Sequence, residues 1–184
     1  MFTVVLDACV LFPNALRDTL LTLAEQGLYR PLWSSAILDE LRRNVIAKRN
    51  VDPAAFERTI DLMVGAFEGA EVSGWERLVE GLSLPDPDDR HVLAAAIAGN
   101  AEAIVTFNLP DFPAHELHPH SVEAVHPDLF LLDQLDLAPH LVIHALSRQA
   151  ARYGRPPMDL PGLLGRLRRC GVPEFAGEVS RSAP

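Results

Sequence analysis

The chain has 184 residues, 48% of them apolar and 22% charged, the proportions of a folded globule, which excludes disordered and collagen-like classes. At about 150 residues per domain it holds one compact domain with roughly a third of a domain left over. Its net charge of −9 argues against non-specific nucleic-acid binding through a basic surface, and two cysteines cannot build a disulfide framework.

A reduced, cytoplasmic protein is therefore expected. The longest apolar run, residues 92–98, is far short of the ~20 residues of a membrane span. Residues 1–7 have no basic region and reach an acid at once, so no signal peptide is expected. The charge is also uneven: up to residue 126 there are nine Lys and Arg against nineteen Asp and Glu, and beyond it seven against six. Either the partner is not a nucleic acid, or the acids cluster where a cation neutralises them.

In chain order, the β-branched run at 3–6 predicts a buried parallel strand. Leu16, Leu20, Leu23 and Ala24 lie on one face of a helix over 15–26 that Gly27 ends. Leu32 and Trp33 make a second strand, and Ser34 or Ser35 caps a helix to about Lys48. Pro53 opens another helix, with Ile60, Met63, Val64 and Phe67 at core spacing, and 71–74 is a third short strand. In the loop 84–89 the aspartates are expected to cap a helix over 90–98, which Gly99 and Asn100 end. Strands at 103–107 and 122–125 follow. Strands alternating with helices predict an α/β fold with a short parallel sheet between helices. After Pro127 only helices are read, at 128–136, 139–153, 160–170 and a tail from Pro173, so 1–126 is expected to be the main domain and 127–184 a helical C-terminal extension.

In a parallel sheet, ligands bind at the carboxyl ends of the strands. Asp7 ends the first strand, Asn108 and Asp111 follow the strand at 103–107, and Asp86, Asp88 and Asp89 precede the 90–98 helix. Glu40 lies one and a half turns into the helix after the second strand. Taken singly, each acid has an ordinary explanation: a turn at Asp7 or Asp111, a helix cap at Asp88 or Asp89, and for Glu40 a solvated face pairing with Asn44 or Arg43. Together they crowd one rim, where like charges are unfavourable unless a cation offsets them. Mg²⁺ or Mn²⁺ takes carboxylate oxygens and keeps several waters, which suits such a rim.

Other chemistries lack their residues. Position 9 is Cys where an Asp-x-Asp phosphatase needs its second acid. The single lysine, Lys48, leaves no P-loop, and no Gly-x-Gly-x-x-Gly is present. His115, His118 and His120 have no thiolate partners or HExxH spacing for zinc. Cys9 reads as a small packing residue.

The segments Leu-Asp7-Ala-Cys-Val-Leu, Ile-Leu-Asp-Glu40-Leu, Leu-Pro-Asp86-Pro-Asp-Asp89-Arg-His-Val-Leu-Ala-Ala-Ala and Ile-Val-Thr106-Phe-Asn108-Leu-Pro-Asp111-Phe, in this order, resemble PIN-domain nucleases, and specifically VapC-type toxin ribonucleases of toxin–antitoxin systems. The resemblance covers residues 1–126. It implies a PIN-like three-layer fold and a metal-dependent endoribonuclease, with an RNA substrate, a cognate antitoxin protein and a homodimer. It matches Asp7, Glu40 and Asp89 to the metal-binding acids, Asp111 to a fourth catalytic acid, and Thr106 and Asn108 to polar residues that orient them. Asp86, and after it Asp88, stand in reserve for Asp89 as ligand. Where the family often has Ser, Thr or Asn this chain has Cys9, which implies a weaker or missing contact to the acids. Arg42, Arg43, Arg49 and Arg90 are candidates for backbone phosphates. The alternatives are a PIN nuclease of RNA processing or repair without an antitoxin, and a catalytically degenerate PIN binding module.

Overall fold

The computed structural model describes residues 1–49, 51–154 and 156–183. In chain order the elements are β1 (Thr3–Leu6), α1 (Ala8–Leu11), α2 (Asn14–Glu25), β2 (Arg30–Ser34), α3 (Ser35–Arg49), α4 (Pro53–Ala66), β3 (Glu71–Val72), α5 (Arg90–Ala98), β4 (Ala103–Val105), α6 (Ala114–Leu117), β5 (Glu123–Val125), α7 (Pro127–Leu137), α8 (Pro139–Arg152), α9 (Leu160–Arg169) and α10 (Pro173–Ser182). Short 3₁₀ turns occupy Glu76–Gly81, Pro87–Asp89, Leu109–Asp111 and His118–His120.

The five strands are parallel, in the order β3-β2-β1-β4-β5. The chain steps outward from β1 to β3 and then crosses to the other side of β1, so the winding reverses between β1 and β4. That reversal is where an open parallel sheet leaves a crevice at its carboxyl edge. Val4, Val5 and Leu6 are fully buried, as the unbroken β-branched run requires of a central strand. Ser34 Oγ accepts from Ile37 N–H at 3.3 Å and starts α3, and the Asp52 carboxylate accepts from Ala54 and Ala55 to start α4. At the far end of α5, a Cβ on Gly99 would lie 2.5 Å from Leu32 Cδ1 and 3.0 Å from Val72 Cγ2, so any side chain here must displace Leu32 from its place on β2.

The chain forms two compact units, one of Met1–Phe12 with Arg30–Val125, the other of Pro13–Tyr29 with the chain from His126 onward. The sheet and α1, α3, α4, α5 and α6 belong to the first. The second begins one residue before the expected extension but also takes in α2, which the sequence reads as an ordinary crossover helix. Its apolar face of Leu16, Leu20 and Leu23 is buried, and α8 and α9 are the helices of this unit that contact it. Two buried polar bonds tie α2 to α8: Thr19 Oγ1 donates to Gln149 Oε1 at 2.9 Å, and Gln149 Nε2 donates to Ala15 O at 3.2 Å. Buried Asp128 on α7 accepts from Glu174 and Phe175 N–H at 3.0 and 2.8 Å, which caps α10. The tail from Pro173 is thus a packed helix, with Phe175, Ala176 and Val179 inside. Among the described residues no single helix is long and apolar enough to cross a membrane; α7 and α8, apolar when taken together, bend by 118° and bury Phe130, Leu131, Val142 and Leu146.

Candidate active site

Asp7 stands at the winding reversal. Its backbone N–H donates to Val105 O at 3.2 Å, continuing the β1–β4 ladder by one residue, and its side chain is buried at 3% exposure. Thr106 Oγ1 donates to Asp7 Oδ2 at 2.6 Å, and Cys9 Sγ donates to the same oxygen at 3.1 Å. Behind them, Asn108 N–H donates to Thr106 Oγ1 at 3.0 Å and Phe107 N–H to Cys9 Sγ at 3.3 Å. Each donor therefore receives a backbone N–H and directs its own proton at Asp7. This corrects the reading of Cys9 as a mere packing residue. Burial, then the neighbouring Asp7 charge, push its thiol far up, so it stays protonated and can donate.

An open cleft of about 700 Å³ lies at this edge, lined by Glu40, Asp86, Asp88, Asp89, Asn108 and Asp111, together with Ala36, Asp39, Arg43, Asn44 and His91. The Asp89 carboxyl is pushed up to about 7, by partial burial first and then by the charges of Asp7, Asp86, Asp111 and Glu40. Burial also raises Asp7, with Glu40 adding to it while the Thr106 and Cys9 bonds oppose it. The acids from β1, α3, the start of α5 and the turn after β4 therefore act on one another electrostatically. Among the described residues, however, no group of three or more His, Cys, Asp or Glu side chains is drawn together closely enough to hold a metal ion as the side chains stand. Spaced, coupled carboxylates with an open side fit a hard divalent cation that keeps part of its water shell, and fit a closed tetrahedral zinc site poorly.

The loop aspartates divide their work. Asp86 is the cap, its carboxylate accepting from Asp88 N–H at 2.9 Å. Among the described residues the Asp89 side chain caps no backbone N–H, contrary to the expectation that these aspartates cap the helix over 90–98. Asp89 thus has a carboxylate uncommitted to the helix, while Asp86 holds the turn and Asp88 is an exposed lining residue.

The four arginines differ as sharply. Arg42 is held by Glu57, with bonds of 2.9 and 2.8 Å, and by Asp39 at 2.8 Å. Arg49 lies over the Phe12 ring at 4.4 Å. Arg90 has its Nε buried without a partner among the described residues and is not a lining residue, so Arg43 alone of the four lines the cleft. The sequence reading missed His91, whose Nε2 lies 3.4 Å from Glu40 Oε2; a histidine in the first turn of a helix carries no signal of its own until α3 and α5 are brought together.

A family model described as PIN domain matches residues 3–109, and one described as VapC50 C-terminal domain matches residues 127–181. The protein named "Putative ribonuclease VapC50" of Mycobacterium tuberculosis (strain ATCC 25618 / H37Rv) is 45% identical over 96 residues, 52% of this chain and 56% of that protein. The match thus spans about half the length of that relative. No solved structure matches. With a parallel sheet, acids gathered at its carboxyl edge and a PIN-domain match over more than half its length, the chain belongs to the PIN-domain family.

Proposed function

We infer that the protein is a metal-dependent endoribonuclease that hydrolyses RNA phosphodiesters and acts in the cytoplasm as the toxin of a toxin–antitoxin pair. The observation that carries this reading is the gathering of Glu40, Asp86, Asp88, Asp89 and Asp111 around one cleft beside Asp7, where burial first and then the neighbouring charges raise Asp89, because such crowding is tolerated where a cation completes the site. Asp7, Asp89 and Glu40 would hold Mg²⁺ or Mn²⁺, with Asp111 acting from farther out. A divalent ion there supplies an acidified water as nucleophile and stabilises negative charge on the phosphate. Thr106 and Cys9 hold the Asp7 carboxylate in one orientation, and Arg43, which lines the cleft, would meet a backbone phosphate. The VapC50 C-terminal match and the identity to a protein of that name support the toxin role and, with it, an antitoxin protein as partner; a homodimer of the C₂ kind is the assembly we expect of it.

The test is cleavage of end-labelled RNA by the purified full chain with Mn²⁺ or Mg²⁺, with EDTA, and with Asp7→Asn. Cleavage requiring the metal and lost in the variant is expected. Cleavage that survives either EDTA or Asp7→Asn would refute the reading, as would no cleavage of any RNA when metal is supplied. Sequencing the 5′ ends of fragments made in cells would then identify the target.

A further inference from the structure

Glu40 projects from α3, a helix away from the sheet edge that fixes Asp7, so something other than β-ladder geometry must set its carboxylate. Its two oxygens face two different side chains. Oε2 lies 3.4 Å from His91 Nε2 on α5, and Oε1 is approached by Asn44 Nδ2, one turn on along α3, at 3.5 Å. The His91 ring is itself constrained: Trp75 meets it edge-on with centroids 6.2 Å apart, and its Nδ1 is buried with no partner among the described residues. A proton on Nδ1 would be buried without an acceptor, which leaves Nε2, 3.4 Å from Glu40 Oε2, as the ring nitrogen that faces the carboxylate.

We propose that His91 is a positioning residue for metal binding: its Nε2–H orients the Glu40 carboxylate across the α3–α5 gap. Asn44 steadies the other oxygen. The inference rests on the metal-site reading of the cleft but adds a residue that contributes no ligand. Without His91, Glu40 keeps its charge and loses its direction, so the cation is bound more weakly while Asp7, Thr106 and Cys9 are undisturbed. Groups that orient metal ligands typically matter by 10–100-fold in affinity, and a partly exposed contact belongs at the low end, roughly tenfold.

The experiment is Mn²⁺ titration of the full chain at fixed pH, with free Mn²⁺ read by electron paramagnetic resonance, on the parent and on His91→Gln, His91→Asn and His91→Leu. Gln carries an amide donor to about the position of Nε2; Asn places one nearer Nδ1 and cannot reach Glu40. The expected result is parent-like affinity for His91→Gln, within about twofold, and roughly tenfold weaker binding for Asn and Leu. In a Glu40→Gln background, His91→Asn should add no further loss, because the two residues act as one unit. Equal Mn²⁺ affinity in the parent and the Asn variant overturns the role of His91 and leaves the metal site standing. A further loss of the single-variant size in the Glu40→Gln background also overturns it. A parent that binds no Mn²⁺ overturns both readings. Should His91→Leu not fold, the Gln and Asn pair still decides.

Discussion

Replacing Asp89 by Asn in the metal-free protein should stabilise it, and the effect should depend on pH with a defined sign. The Asp89 carboxyl is raised from 3.8 to about 7 in the fold. At ~1.4 kcal/mol per pH unit that gap corresponds to about 4 kcal/mol unscreened. Asp89 is half-buried, so solvent and salt reduce this to ~1–2 kcal/mol. The favourable placement of a carboxylate at the start of α5 returns a few tenths of a kcal/mol to the parent. The substitution removes no cap, since the Asp89 side chain caps no backbone N–H among the described residues. A raised folded-state pKa means that the native protein binds more protons than the unfolded chain between pH ~4 and ~7, so parental stability falls as pH rises through that window. Below pH ~4 the residue is neutral in both states and the variant gains nothing.

The assay is thermal unfolding in EDTA at pH 8 and pH 5. At ~2–4 °C per kcal/mol for a chain of this size, Asp89→Asn should melt roughly 3–6 °C above the parent at pH 8, with a smaller gain at pH 5. Added Mn²⁺ should then stabilise the parent by mass action, about 2.7 kcal/mol at a hundredfold excess over Kd, and the variant much less. A variant that melts several degrees below the parent in EDTA at pH 8 would show that Asp89 holds the fold, and the choice of Asp89 over Asp86 would collapse.

Four further outcomes are expected. Asp86→Ala should lose about 1 kcal/mol in urea denaturation, because it removes the cap on Asp88 N–H, yet should keep far more RNA cleavage than Asp89→Asn. Cys9→Ser should retain cleavage while Cys9→Ala lowers it, and native Cys9 should resist iodoacetamide at pH 8 because its thiol is held protonated. Gly99→Ala should cost ~1–3 kcal/mol by forcing a methyl into Leu32. Deleting residues 127–184 should leave Leu16, Leu20 and Leu23 of α2 uncovered, at ~1.5–3 kcal/mol each, and the truncated chain should aggregate on centrifugation or melt far below the parent.

The parts of the fold that the sequence makes legible are those governed by local rules. The run Val4–Val5–Leu6 can satisfy itself only as a buried strand, Ser34 and Asp52 are caps that work from their own residues, and Pro53 and Pro139 stand where a helix needs no donor. What escapes are assignments that depend on which surface meets which. The apolar face of α2 has the same pattern whether it covers a sheet or meets α8 and α9, and polar bonds such as the buried Thr19–Gln149 pair distinguish the two. Likewise the three loop aspartates all read as caps for the helix over 90–98, yet among the described residues only Asp86 is seen to cap, and it caps the 3₁₀ turn ahead of that helix.

The site divides along the same line. Asp7 and Asn108 stand out in the sequence because strand ends put them at one edge by backbone geometry, whereas Thr106 is singled out only by the family resemblance; in the structure the Asp7 carboxylate, the Thr106 hydroxyl and the Asn108 N–H form a relay across two adjacent strands. Glu40 and His91 come from helices, where a 3.4 Å contact requires that α3 and α5 be set against each other at a particular depth. Ala94, Ala95 and Ala96 on α5 are all fully buried, so a larger side chain at any of them has no free space. Substituting a larger residue for one of them would press α5 away from its neighbours before it touched any acid, so it should weaken Mn²⁺ binding through His91 and Glu40 while the Thr106–Asp7 bond stays formed. Parent-like Mn²⁺ affinity in a folded Ala95→Val variant would separate the packing of α5 from the geometry of the cleft.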